Sequence, residues 1–329
     1  MRSRTRILVT AMRVLVPVYS LASPSAAIAH EAEAHCAAIV ASVAEAGFAD
    51  SVTVTCEDGA AVLSSDTYPE HEMMTGIVNT NEQVPVPAER YDAPIPLAPT
   101  LGDTPQTRDA ALGVAVNGVP IFDYTGGGEM SAADLRHHQT RHDTLLTQQL
   151  DICGGHAGRG DDYHYHMTPV CMIAQMENAG PDAIIGWAFD GFPIYGDTNP
   201  DGSPIAEGVL DVCNGQTDAT FGYRYHTSDD APYIVQCLMG EVGDIRDLPR
   251  VRPLSNASGR GVAPGRPPRG GVEGLVFTQG EDGSRSMDYA YQGEAYFIRY
   301  ASAETPGCYL FETRTVTNGG TIQTGEYCR

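Results

Sequence analysis

Two stretches of the chain alternate tyrosine with a basic side chain, Tyr163-His-Tyr-His166 and Tyr223-Arg-Tyr-His226. In an extended strand successive side chains point to opposite faces. His164 and His166 then share one face and Tyr163 and Tyr165 the other, as do Arg224 and His226 against Tyr223 and Tyr225. Two histidines at i and i+2 on a strand, joined by a third from elsewhere, form a common set for holding zinc or copper. His156, in the glycine-rich stretch after Cys153, is the nearest third ligand. If the two strands meet, Arg224 and His226 converge on the same point. Each ligating ring needs an outer partner for its second nitrogen, a role open to Asp151, Asp161, Asp162 and Asp190. A metal there would polarise a substrate oxygen or activate water. A fixed cation beside a dication is unfavourable unless an anion is also bound, so Arg224 points to a small anionic substrate. Asp190 and Tyr165 are further catalytic candidates, and copper redox chemistry beside Tyr163 and Tyr165 is a variant. Two other readings stay open: a structural His–Tyr–Asp network within a sheet, and an anion-binding or acid–base site without metal.

Other patches are weaker. His138 and His142 are four apart and would stack on one helix face, with His137 beside them, but the glutamate of a His-Glu-x-x-His site is missing. His71-Glu-Met-Met74 resembles a soft-metal patch, although such methionines usually pack. Asp197-Thr-Asn199-Pro-Asp201-Gly202 begins like a calcium loop. Its twelfth position is Gly208 rather than Glu, and a plain surface turn has the same composition. No Gly-x-Ser-x-Gly elbow is present. All 20 basic residues are Arg, which excludes a P-loop lysine and a Schiff-base lysine.

The elements that position these residues form a repeat. Gly113-Val-Ala-Val-Asn-Gly-Val-Pro-Ile-Phe122 parallels Gly186-Trp-Ala-Phe-Asp-Gly-Phe-Pro-Ile-Tyr195, and Asp151-Ile-Cys153-Gly-Gly155 parallels Asp211-Val-Cys213-Asn-Gly215. In each copy the Tyr-x-Tyr-His stretch follows, then Pro and Cys. Residues 113–171 and 186–237 read as two copies of one unit, folded as pseudo-two-fold halves. The order predicts disulfides Cys153–Cys171 and Cys213–Cys237. The remaining cysteines form two local couples, Cys36–Cys56 and Cys308–Cys328.

The segments Cys153-Gly-Gly-His156, Tyr163-His-Tyr-His166, Asp190-Gly-Phe-Pro-Ile-Tyr195 and Leu210-Asp-Val-Cys-Asn-Gly215 resemble the YHYH domain family, named for the motif at 163–166. The resemblance covers roughly residues 110–240. It implies a secreted or cell-surface protein and carries no established activity. It also implies histidines in the second copy at the places where this chain has Gln216 and Arg224, so the second half has lost ligands.

The flanks read as supports. Arg2, Arg4 and Arg6, the apolar run to Ala22 and the small-x-small Ala27-Ile-Ala29 predict a signal peptide over 1–29, with export to a periplasmic or extracellular space. Cleavage would take the formal charge from −22 to −26 and leave no membrane-spanning segment. Such acidity disfavours nucleic acid and anionic membranes, whereas an oxidising compartment favours four disulfides. Residues 30–108 predict a helix, a hairpin and a Pro-rich strap. The duplicated core occupies 109–240, a Gly/Pro/Arg-rich flexible loop 241–272, and a small β module 273–329. The expected fold is mainly β with a few short helices around a duplicated, disulfide-stabilised core. The functional expectation is a zinc- or copper-binding protein using His156, His164, His166 and His226, with metal-dependent catalysis on a small anionic substrate as its extension. The alternative is a non-catalytic surface or matrix module.

Overall fold

A computed structural model describes residues 24–259 and 266–329. The charged start and apolar run of the expected signal lie outside the described residues. Helix α1 (Pro24–Glu45) leads into a hairpin of β1 (Thr53–Glu57) and β2 (Ala60–Ser65). The strap contributes β3 (Tyr91–Pro96), which pairs antiparallel with β2, and β4 (Leu101–Gln106). Pro94 and Pro96 are tolerated because β3 is an edge strand, where a missing N–H leaves no ladder bond unmade. The Pro-rich segment is therefore partly sheet rather than only a strap.

The core is an eight-stranded sheet. Its strands are β5 (Gly113–Ala115), β6 (Pro120–Ile121), β7 (Gly155–Ala157), β8 (Tyr163–Tyr165), β9 (Gly186–Ala188), β10 (Pro193–Tyr195), β11 (Gly215–Asp218) and β12 (Gly222–His226). They lie in the order β11-β12-β10-β9-β5-β6-β8-β7. At the centre Gly113 faces Ala188, Val114 faces Trp187 and Ala115 faces Gly186. A Cβ on Gly113 would lie 2.6 Å from the Trp187 carbonyl oxygen, and one on Gly186 would lie 2.8 Å from that of Val114. Glycine at both places is thus what lets the two central strands meet.

Strand β13 (Leu238–Gly240) pairs with β4, and β14 (Glu273–Gln279), β15 (Arg285–Tyr291), β16 (Glu294–Ser302), β17 (Cys308–Arg314) and β18 (Ile322–Cys328) form an antiparallel meander. The chain is mainly β, and its eight cysteines form Cys36–Cys56, Cys153–Cys171, Cys213–Cys237 and Cys308–Cys328. Cys308 and Cys328 are direct cross-strand partners. Buried apolar side chains form one connected cluster from Ile39 to Phe311, so the flanks share the core. Among the described residues no helix is long and apolar enough to cross a membrane.

Two local expectations differ from the structure. The insert holding His137, His138 and His142 forms only one 3-10 turn, Asp134–Arg136, whose N-cap Ala133 makes no side-chain cap; the Ser131 hydroxyl instead donates to the Asp134 carboxylate. Of its apolar side chains Leu135 is buried while Leu145 and Leu146 are exposed, so no continuous apolar stripe supports a longer helix. The Arg-rich stretch does not run free either, because Pro249, Arg250, Val251, Pro253 and Pro267 wall a cleft in the body.

Candidate metal centre

Strands β7 and β8 pair so that His156 stands directly opposite His164, and His166 follows one residue beyond β8. The alternation expected for the motif places all three imidazoles on one face. Their candidate ligand nitrogens lie within 4.8 Å of one another. Phe122, just past β6, stacks on His164 with ring centroids 4.0 Å apart and fixes its plane. Gly158 lies against the same ring; a Cβ there would come within 2.3 Å of His164 Cε1.

The outer nitrogens determine what the inner ones can do. His156 Nδ1 sits 3.0 Å from the Gln149 carbonyl oxygen, and His166 Nδ1 contacts the Asp123 carbonyl oxygen. A carbonyl oxygen only accepts, so both Nδ1 atoms carry hydrogen and donate. His164 Nδ1 lies 3.3 Å from the Asp162 carboxylate. Of the four aspartates expected as outer partners only Asp162 serves, and backbone carbonyls do the rest. Asp151 instead accepts from the backbone N–H groups of Met74, Cys153 and Gly155 and from the Tyr163 hydroxyl. Asp161 accepts from Leu254 N.

With Nδ1 protonated in both rings, the neutral forms of His156 and His166 present bare Nε2 lone pairs, 3.1 Å apart. Two acceptors at that distance repel unless a cation or a proton lies between them. A proton is disfavoured. Burial, with the neighbouring His164, pushes His156 down to about 3, and burial with both neighbours holds His166 well below the ordinary imidazole range. His164 and His166 are buried, while His156 keeps an edge on a cleft of about 500 Å³.

The tyrosines occupy the opposite face and are fully engaged. Tyr163 donates to Asp151, and Tyr165 bonds His71 Nε2 at 2.7 Å and Asn117 Nδ2 at 3.0 Å. Tyr165 therefore does not reach the histidine cluster, which corrects its candidacy as a catalytic group. Asp190 is likewise committed: it accepts from the Tyr225 hydroxyl and from Gly240 N.

Nor does the second half join the first. Strands β12 and β8 are five strand spacings apart, roughly 24 Å, so Arg224 and His226 do not converge with His164 and His166. Around His226 the equivalent group is closed by hydrogen bonds. Gln216 Nε2 lies 2.9 Å from His226 Nε2, and His226 Nδ1 lies 2.8 Å from the Gly196 carbonyl oxygen. Arg224, fully buried, bonds Asn199 Oδ1 at 2.7 Å and pairs with Asp218 at 2.6 Å. Its guanidinium is held inside the fold, with Nε alone left unpaired, and it does not line the cleft beside the three histidines.

The remaining candidates are also satisfied locally. The Asn199 side-chain oxygen accepts from Gln216 and Arg224, and Asp201 accepts from Ser203, so Asp197–Gly202 is a hydrogen-bonded turn rather than an open calcium loop. His138 pairs with Asp143. His71 lies near Cys153 and Cys171, but those sulfurs are joined to each other and the Met74 sulfur accepts from Ala157 N. What sequence reasoning missed is the cleft wall. Tyr91 comes from a segment with no chemical motif, and only folding brings it beside the histidines.

The sequence profile of the family described as YHYH protein matches residues 92–203. The match includes His156, His164 and His166 and stops before Gln216, Arg224 and His226. No curated protein and no solved structure matches the chain.

Proposed function

We infer, for a chain whose residues 92–203 belong to the YHYH family, that His156, His164 and His166 hold one zinc or copper ion through their Nε2 atoms. The observation that carries this is the 3.1 Å contact between His156 Nε2 and His166 Nε2, each ring's Nδ1 being bound to a carbonyl oxygen. A cation turns that repulsion into shared coordination. A tetrahedral zinc with bonds of ~2.05 Å needs nitrogens ~3.3 Å apart. The His156–His166 pair already has that spacing, and His164 closes the rest of the 4.8 Å spread on binding. Three neutral nitrogens and no sulfur leave a coordination position open toward the cleft, the arrangement of a catalytic rather than a structural ion. There the metal would activate water or polarise a substrate oxygen. Four disulfides and the charged, apolar start of the chain support an exported protein.

The test is elemental analysis of protein exported to a periplasm and purified without chelator or affinity tag. About one equivalent of zinc or copper is expected in the wild type, and none in a folded His164→Ala/His166→Ala variant. A metal-free wild type that unfolds on this substitution would make the motif purely architectural, as its tyrosine face already is.

We propose also that 113–171 and 186–237 are copies of one unit about a pseudo-two-fold axis at the β5–β9 pair. Tyr163–Asp151 matches Tyr223–Asp211, and the His166 contact to Asp123 O matches that of His226 to Gly196 O. His156 opposite His164 matches Gln216 opposite Arg224. In the second half the buried Arg224 supplies the positive charge that a metal supplies in the first. Substituting Gln216→His with Arg224→His is expected to add a second equivalent of metal. A folded variant that still binds one equivalent would count against the equivalence.

A further inference from the structure

The cleft beside the three histidines contains polar atoms that the fold leaves unpaired. Tyr91, on β3, forms part of its wall, yet its hydroxyl is sealed from solvent with no hydrogen-bond partner. Arg108 lies outside the cleft lining but within electrostatic reach of Tyr91 and Arg250. It is 3% exposed, donates from Nη2 to the carbonyls of Leu248 and Pro249, and leaves Nε and Nη1 buried without an acceptor. Its charge acts on Tyr91, and no carboxylate pairs with it among the described residues. Burying a hydroxyl and two guanidinium N–H groups unpaired costs a fold stability. Such an arrangement persists where a ligand supplies the missing acceptors.

The cleft lining carries two arginines and two carboxylates. Arg159 and Arg250 line its mouth, against the carboxylates Asp109 and Asp162. Asp162 is already engaged with His164 Nδ1, and Arg250 is held in place by the Asp109 carbonyl. Two arginines thus line one cleft of a chain with formal charge −22, and the charge of Arg108 acts on its wall residue Tyr91. Burial and the nearby Asp162 carboxylate keep Tyr91 a neutral hydroxyl, able to donate.

We propose that this cleft takes a small oxyanion, a carboxylate or phosphate group, seated between the Tyr91 hydroxyl, the Arg250 guanidinium and the three-histidine site. The arginine that meets the anion is then Arg250, which lines the cleft, with Arg108 adding charge from outside the lining, and not Arg224. The proposal rests on the metal reading only where it places the anion next to the ion; the tyrosine and arginines act whether or not metal is bound.

The experiment is isothermal titration of sodium phosphate and of sodium acetate into the full chain, metal-loaded and chelator-treated, with metal content measured on the same samples. Tyr91→Phe and Arg250→Ala are the variants. The first deletes an unpaired hydroxyl, so its thermal unfolding should stay unchanged or rise. The expected result is saturable binding of at least one anion, weakened about tenfold in each variant. The preferred anion identifies the ligand as phosphate or carboxylate. Absence of binding at concentrations on the order of 10 mM, or equal binding by the wild type and both variants, overturns the proposal. Stoichiometric metal without anion binding removes the anion site alone, whereas anion binding without metal removes the metal reading alone.

Discussion

Arg329 tests how the C-terminal sheet supports the site. Its guanidinium donates to five carbonyl oxygens on three segments: Val86 and Pro87, Gly160 and Asp161, and Arg252. Gly160 belongs to the cleft wall, and Asp161 precedes the aspartate that orients His164. In Arg329→Ala, the Asp161 oxygen keeps Val86 N and the Pro87 oxygen keeps the Tyr309 hydroxyl. The oxygens of Val86, Gly160 and Arg252 have no second protein donor among their described contacts. At roughly 1 kcal/mol for each acceptor left unpaired, the substitution should cost about 3 kcal/mol. Water reaching the Arg252 oxygen would lower that toward 2. With a urea slope of about 3 kcal/mol/M for a chain of this size, the unfolding midpoint should fall by about 1 M. Hydrogen exchange should also quicken at residues 158–162. Lysine cannot span three segments with one ammonium, so Arg329→Lys should recover only part of the loss. A loss below about 0.5 kcal/mol, or full recovery by lysine, would refute the clamp.

Three further outcomes are expected. Asp162→Asn should weaken metal binding about 10–100-fold by removing the carboxylate behind His164; competition against a chromophoric chelator reads this, and unchanged affinity counts against the assigned roles. The metal-free protein should lose stability as pH falls from about 6.5, because the unfolded chain protonates His156 at its ordinary value of 6.5 while the folded chain resists until about 3. Buried Asp123 and Asp161, pushed up to about 7, act in the opposite direction over an overlapping range. The comparison is therefore between wild type and His156→Gln. Between pH 6.5 and 5 the wild type should lose about 2 kcal/mol more than the variant, and parallel pH curves would dismiss the shift. Removing the Cys153–Cys171 bridge by paired alanines should cost about 3 kcal/mol through loop closure across its sequence separation of 18. A denaturation midpoint within error of the wild type would mean that the loop is held by other contacts.

Much of this protein is decided by local order in the chain. Strand alternation alone separates His164 and His166 from Tyr163 and Tyr165, because the side-chain period of a strand is fixed by backbone geometry. Cysteine order within each motif copy was enough to foresee the Cys153–Cys171 and Cys213–Cys237 pairs, since short loops keep their ends close. His156 was legible as a candidate third imidazole from its place in the glycine-rich stretch after Cys153. The relation between the halves was not legible. Whether Arg224 and His226 meet His164 depends on which strands pair at the centre, and that is settled by the close approach of β5 and β9 at Gly113 and Gly186. Their pairing moves the two tyrosine–histidine strands outward to opposite sides of the sheet. The outer partners of His156 and His166 are carbonyl oxygens, which every residue carries, so no residue type could reveal them. Tyr91 and Arg250 reach the cleft only through long-range packing, since the sheet edge and the Arg-rich stretch close over the histidines when the chain folds. The sequence by itself determined which side chains can bind and which face they share. Tertiary structure alone decided which of them meet, because that depends on the pairing of strands distant in the chain.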